Sequence, residues 1–188
     1  MCHFITATIY KSSSIEELNK IAQRFNLAFT IINNKFVQSQ LSRDYQYLSK
    51  STTHCDCGTV IGSCCNSPNG VSISENKINK LKRKGWGKAK IQRWLDEKEK
   101  YKEKLKREES STKERWKPKI QEWYDFIQTV VANKNIGQIG LLLHWYCSGP
   151  ETEKIAIKNT INIPISEVTP EYLTKIREDS LYLFETCN

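Results

Sequence analysis

Residues 137–149, GQIGLLLHWYCSG, contain no charged side chain and are bounded by glycines. A strand with one wet face alternates apolar and polar residues, whereas a continuous apolar run of this kind belongs to a strand covered on both sides. The run therefore asks for a sheet with packing layers on each face. It also contains His144, a polar ring that in such surroundings needs a hydrogen-bond partner or a role.

Other segments supply the rest of an α+β body. CHFITATIY (2–10) alternates, with Cys2, Phe4, Thr6, Thr8 and Tyr10 on one side and His3, Ile5, Ala7 and Ile9 on the other. Ser14 followed three residues later by Glu17 reads as a capping box. Ile15, Leu18, Ile21, Ala22 and Phe25 then recur at helical spacing, which predicts an amphipathic helix over 15–26. LAFTII (27–32) reads as a second strand closed by Asn33-Asn34, and IAIKNTINIPI (155–165) as another. Residues 36–50 fit no single pattern, although Tyr45, Tyr47 and Leu48 suggest an extended lead into the cysteines that follow. SCCNSPNG (63–70) reads as a loop. Thr169-Pro170 opens a last helix carrying Tyr172, Leu173, Ile176 and Leu181.

Charge divides the chain differently. Its net charge is +8, but residues 77–118 hold seventeen Lys/Arg against seven Asp/Glu, while residues 119–188 hold six against nine. A positive field confined to one segment attracts phosphate-bearing partners or anionic surfaces. That segment is rich in helix formers and is interrupted at Gly85 and Gly87, with Ser110-Ser111-Thr112 as a second turn. Trp116, Ile120, Trp123, Phe126, Ile127 and Val130 return at helical spacing, with Pro118 early in that stretch. The expected architecture is a small mixed sheet with flanking helices, formed by residues 1–75 and 136–188. A basic antiparallel helical hairpin, residues 76–135, is inserted in it.

The start of the sequence has no basic leader or cleavage site, and no stretch reaches the ~18 apolar residues that span a bilayer. The expectation is a cytoplasmic chain without membrane insertion. In that reducing compartment its seven cysteines are thiols or metal ligands before they are disulfides. Four of them fall in THCDCGTVIGSCC (53–65), beside one of the three histidines. Zinc takes four nitrogen or sulfur donors in a tetrahedron. Cys55 and Cys57 put two thiols on one side of an extended segment, Gly58 allows a tight turn, and His54, Cys64 or its neighbour Cys65, and Cys2 or His3 are the candidates that complete the set. The spacing is not that of paired Cys-x-x-Cys knuckles, and the plainer reading is a turn whose cysteines are small buried hydrophobes.

A second chemistry uses Cys2 as nucleophile in a thiol hydrolase or transferase. The base is His3, His54, His144 or, after loss of Met1, the α-amino group, with Asp56 as an orienting carboxylate. The Met-Cys opening is similar to that of class II glutamine amidotransferases, but the likeness spans two residues and ends at His3, where those enzymes carry a small residue. If 2–10 and 139–147 are neighbouring strands, the pairs Cys2-His3, His54-Cys55 and His144/Cys147 converge at one end of the sheet. On the arm, Lys82, Arg83, Lys84, Lys88, Lys90 and Arg93 surround Trp86. That patch suits nucleic acid or nucleotide, through phosphate neutralisation and stacking. Lys/Glu-rich helices are also ordinary solvated faces, and tryptophans at such spacing also zip helices together, which makes a non-catalytic protein-interaction module a third reading. No Walker loop, dinucleotide fingerprint, His-x-Glu deaminase or His-Glu-x-x-His peptidase signature occurs.

Overall fold

The computed structural model describes residues 2–50, 56, 61 and 85–186. Among the described residues six strands form one sheet: β1 (Cys2–Tyr10), β2 (Phe29–Ile31), β3 (Tyr45–Lys50), β4 (Gln138–Tyr146), β5 (Asn159–Pro164) and β6 (Ser180–Glu185). Their order across the sheet is β2-β3-β1-β4-β6-β5. All neighbours are antiparallel except β5 and β6, which run parallel, so the sheet is mixed. The helices are α1 (Ile15–Gln23), α2 (Lys35–Gln38), α3 (Lys88–Ala132) and α4 (Pro170–Leu173). The class is α+β.

The apolar run at 137–149 behaves as its composition demands. Gln138 to Leu143 are all buried, and β4 lies between β1 and β6 near the middle of the sheet. One face presents Ile5, Ala7 and Ile9 of β1 with Leu141, Leu143 and Phe184, all buried. Phe126 of α3 packs on this side, stacked on Phe29 with ring centroids 5.7 Å apart and meeting Phe25 and Trp123 edge-on. α1 starts as the capping box predicts, with the Ser14 hydroxyl accepting the Glu17 N–H at 3.2 Å. It is tied to β2 by Asn19, whose side chain both donates to and accepts from the Phe29 backbone.

The opposite face gathers Tyr47, Leu142, Tyr146, Leu181 and Leu183, covered by Ile32, Val37, Leu41 and Ile155. Polar side chains fasten this lid. Asn34, fully buried, donates to the carbonyls of Pro150 and Glu153 and accepts the N–H groups of Phe36 and Val37. Gln40 likewise donates to the Ile155 carbonyl and accepts the Ile157 N–H. Under this lid the hydroxyls of Tyr146 and Tyr47 meet at 3.1 Å. Tyr47 donates to Thr6, and Thr6 to the Leu142 carbonyl. Burial pushes both tyrosines above their ordinary pKa, Tyr47 far above it.

Two segments differ from expectation. Leu181 was expected in a last helix, yet that helix stops after Leu173 and residues 180–185 form β6, buried from Ser180 through Phe184. Asp179, with φ of 59°, breaks the backbone just before the strand. The second is the arm. α3 runs unbroken from Lys88 to Ala132, so Ser110-Ser111-Thr112 is not a turn. Serine and threonine disfavour a helix interior by only a few tenths of a kcal/mol, which neighbouring Lys, Glu and Arg outweigh. Pro118 thus lies inside the helix rather than at its start. The chain divides into two compact units, residues 1–66 with 118–188 and residues 67–117, the second division falling at that proline. In the second unit Gly85 takes φ of 79° just ahead of α3, and the Gly87 carbonyl accepts the N–H groups of Lys90 and Ile91.

Gly140 pairs with Thr8 on one side and Leu183 on the other. A Cβ there would collide with the Thr8 hydroxyl and come within 2.7 Å of Leu183 Cδ2. Gly140→Ala is therefore expected to cost about 1–3 kcal/mol by overpacking, read as a lower urea midpoint.

Candidate functional site

The end of the sheet where β1 begins and β4 finishes collects the described polar side chains that carry chemistry. His3 is buried on β1, opposite Trp145 in the pairing register. Its Nε2 lies 2.5 Å from Glu178 Oε1, and its ring meets Trp145 edge-on at 4.4 Å. His144 pairs with Phe4, one register step away, and so sits on the other face. Its Nδ1 lies 2.5 Å from Asp179 Oδ1, and its ring stands perpendicular to Tyr146 at 4.8 Å. The two histidines are thus brought to one end of the sheet but to different sides of it. Their partners are consecutive residues, Glu178 and Asp179.

Asp179 is held by more than its side chain. Its N–H donates to the Leu143 carbonyl and its carbonyl accepts the Lys158 N–H. The second carboxylate oxygen receives Lys158 Nζ at 2.6 Å. Burial alone would raise the Asp179 pKa, but the bonds and charges of Lys158 and His144 outweigh it and hold the carboxyl below its usual range. An ionised carboxylate only accepts, so His144 donates through Nδ1–H in either protonation state, and in the neutral ring Nε2 is the basic nitrogen. Three residues beyond His144, one oxygen of Glu153 accepts the N–H of Cys147 at 3.1 Å and both the N–H and hydroxyl of Ser148. Those Ser148 bonds lead in holding the Glu153 carboxyl low, and the charge of His144 adds to them.

A third group lies along β1. Beyond Thr6, where the pairing with β3 stops, Asp56 takes over the strand edge. Its N–H donates to the His3 carbonyl at 2.7 Å, and its carboxylate accepts the Ile5 N–H at 2.8 Å. The other oxygen pairs with Lys50, whose ammonium lies 5.9 Å from the Trp123 ring centroid. Both partners are almost fully buried, the acid side chain 1% and the lysine 9% exposed. Asp56 is therefore an anchor of the β1 edge, held by described partners on β1 and β3.

His54, Cys55, Cys57 and Cys64, and Lys82, Arg83 and Lys84 of the basic patch, lie outside the described residues. Within the second unit Lys88, Lys90 and Arg93 are exposed, and the Lys90 ammonium sits over the Trp86 ring at 4.4 Å. Cys2 is placed on β1 as the Cα partner of Tyr146. Among the described residues no group of three or more His, Cys, Asp or Glu stands close enough to hold a metal ion, and no helix is long and apolar enough to cross a membrane. Sequence reasoning missed Glu178 and Asp179. The available signal was an adjacent acidic pair directly ahead of a buried strand.

No family model, curated protein or solved structure matches the chain. The site is read from its own geometry.

The depressed Asp179 carboxyl fixes the sign of an acid effect. A group whose folded pKa is lowered stabilises the fold above its unfolded pKa and loses that contribution as pH falls through the folded value. Asp179→Asn should start less stable near neutral pH, yet lose less than the native chain between about pH 5 and 3. Urea midpoints across that range provide the measurement.

Proposed function

We propose that the chain is a metal-binding protein in which Cys55 and Cys57, completed by His54 and Cys64, hold a zinc-type ion. In this reading the basic arm draws in a phosphate-bearing ligand such as nucleic acid or a nucleotide. The observation that supports the metal centre is the anchoring of Asp56. This residue lies between the two cysteines in sequence, and its own carboxylate is turned into the core, bound to Lys50 and to the Ile5 N–H. An extended chain sends residues i−1 and i+1 to the side opposite residue i. In an extended segment a fastened Asp56 would be compatible with a two-thiolate clip formed by Cys55 and Cys57. Tetrahedral thiolate and imidazole donors favour zinc over harder cations, and reduced thiols suit an intracellular compartment.

The measurement is elemental analysis of protein purified without added metal. About one zinc per chain is expected, falling below about a tenth in Cys55→Ser and Cys57→Ser. A native chain already below a tenth of an ion removes the reading. A fall in Asp56→Asn as well would tie the anchor to the ligands.

The arm's part rests on the excess of cations in residues 77–118 and on the exposure of Lys88, Lys90 and Arg93. Capture by charge weakens with salt, because bound counterions are released on association. Affinity for mixed-sequence nucleic acid should fall about tenfold or more between roughly 50 and 200 mM salt. It should fall further when Lys88, Lys90 and Arg93 are replaced by alanine. Fluorescence anisotropy reads both, and absence of binding at the lowest salt would leave the arm without this role.

A further inference from the structure

We propose that Cys2 and His144, with Asp179 behind the imidazole, form a nucleophilic thiol centre that accepts an acyl group from an ester, thioester or amide. The proposal goes beyond the metal reading, whose donors are other residues. It stands on the pairing register and on the His144–Asp179 bond. Cys2 is the Cα partner of Tyr146, and Phe4, two residues further along β1, is the Cα partner of His144. Diagonal positions on neighbouring antiparallel strands lie about 7–8 Å apart at Cα, within reach of long or aromatic side chains. The register therefore brings a cysteine and a histidine from opposite ends of the sequence to adjoining places on adjoining strands.

The surroundings of His144 are those of a base. Asp179 accepts the Nδ1–H at 2.5 Å and fixes the tautomer that leaves the Nε2 lone pair for proton transfer. Lys158 holds the other carboxylate oxygen at 2.6 Å, and the two backbone bonds of Asp179 fix it to β4 and to the residue before β5. Tyr146, edge-on to the imidazole at 4.8 Å, packs against the same ring. A base oriented by a third group, with a cysteine at the neighbouring register position, is the residue set that activates cysteine as a nucleophile.

The chemistry balances without an oxidant or reductant. Nε2 takes the Cys2 proton, and the thiolate adds to the acyl carbonyl carbon, forming the C–S bond. Collapse of the tetrahedral adduct breaks the bond to the leaving oxygen, sulfur or nitrogen, which departs with the proton held by His144. Water, giving a proton to the same nitrogen, then cleaves the acyl-cysteine to a carboxylic acid, and the proton returns to the thiol.

Alkylation of the full chain by iodoacetamide tests the pairing, followed at each cysteine by peptide mass mapping between about pH 5 and 9, with a chelator present. Cys2 should react on a plateau that extends below the titration of an ordinary thiol at ~8.5. At about pH 6 His144→Gln should slow it tenfold or more and Asp179→Asn by a smaller factor, while the exposed Cys147 changes by less than about twofold. p-Nitrophenyl acetate should leave an acetyl group on Cys2 of the native chain and not of His144→Gln. A Cys2 rate that climbs with pH like that of a free thiol and is the same in His144→Gln overturns the proposal, as does acetylation that spares Cys2. If His144→Gln loses its circular-dichroism spectrum, the native pH profile decides alone, since an ion-paired thiolate gives the plateau and a free thiol does not. Zinc content is read separately, so failure here leaves the metal reading to its own test.

Discussion

The antiparallel pairing of β1 with β4, from Cys2↔Tyr146 to Thr8↔Gly140, is the constraint on which the remaining structure depends. Both strands are covered on each face, so each must find backbone partners on both sides and apolar neighbours above and below. β3 meets the first demand along one half of β1 and Asp56 along the other, while β6 meets it for β4. The second demand is met on one face by the aromatic packing of Phe126 and Trp123 of α3 with Phe25 and Phe29, and on the other by a lid that Asn34 and Gln40 fasten. Because register fixes which side chains share a face, the same pairing decides that His3 and His144 look in opposite directions.

The polar groups at the end of this pair are satisfied one by one, and each satisfaction has a structural cost. A buried lysine–aspartate pair repays its desolvation only when further bonds complete it. Here the Ile5 N–H takes the second carboxylate oxygen, and Trp123 lies near the ammonium. His144 and Lys158 share Asp179 in a similar way, although Lys158 is mostly exposed and its attraction is screened by water. Such arrangements are common where pKa values are tuned for chemistry, and also where a fold simply closes a gap in its hydrogen bonding. What distinguishes the His144 group is the fixed tautomer combined with a cysteine at a neighbouring register position.

Legibility in the sequence followed the range of the interaction. β1, β4 and the start of α1 were readable because alternation, an uncharged run and a capping box are local patterns. β3 was hidden in a stretch where Gln46, Ser49 and Lys50 interrupt any simple period. β6 was masked because Leu181 continues the spacing of Leu173 and Ile176, and only the backbone break at Asp179 ends it. The unbroken α3 was missed because serine and threonine resemble a turn in a segment whose other residues carry the helix past them. At the site, the histidines drew notice by their scarcity, while Glu178 lies 175 residues from His3 and Asp179 lies 35 from His144. No local pattern joins residues so far apart. The pairing of Asp56 with Lys50 was not legible, since Lys50 reaches it only once β3 has been placed.

The adjacency of Glu178 and Asp179 has a consequence for how this chain tolerates change. One residue serves the histidine above the sheet and the next serves the histidine below it, so the two faces share a single phase of the backbone. Deleting or inserting one amino acid just ahead of β6 would invert that phase, stripping both imidazoles of their acids together and turning Leu181 and Leu183 away from the core they fill. Along this short turn, drift in length is more dangerous to the lineage than drift in side-chain identity.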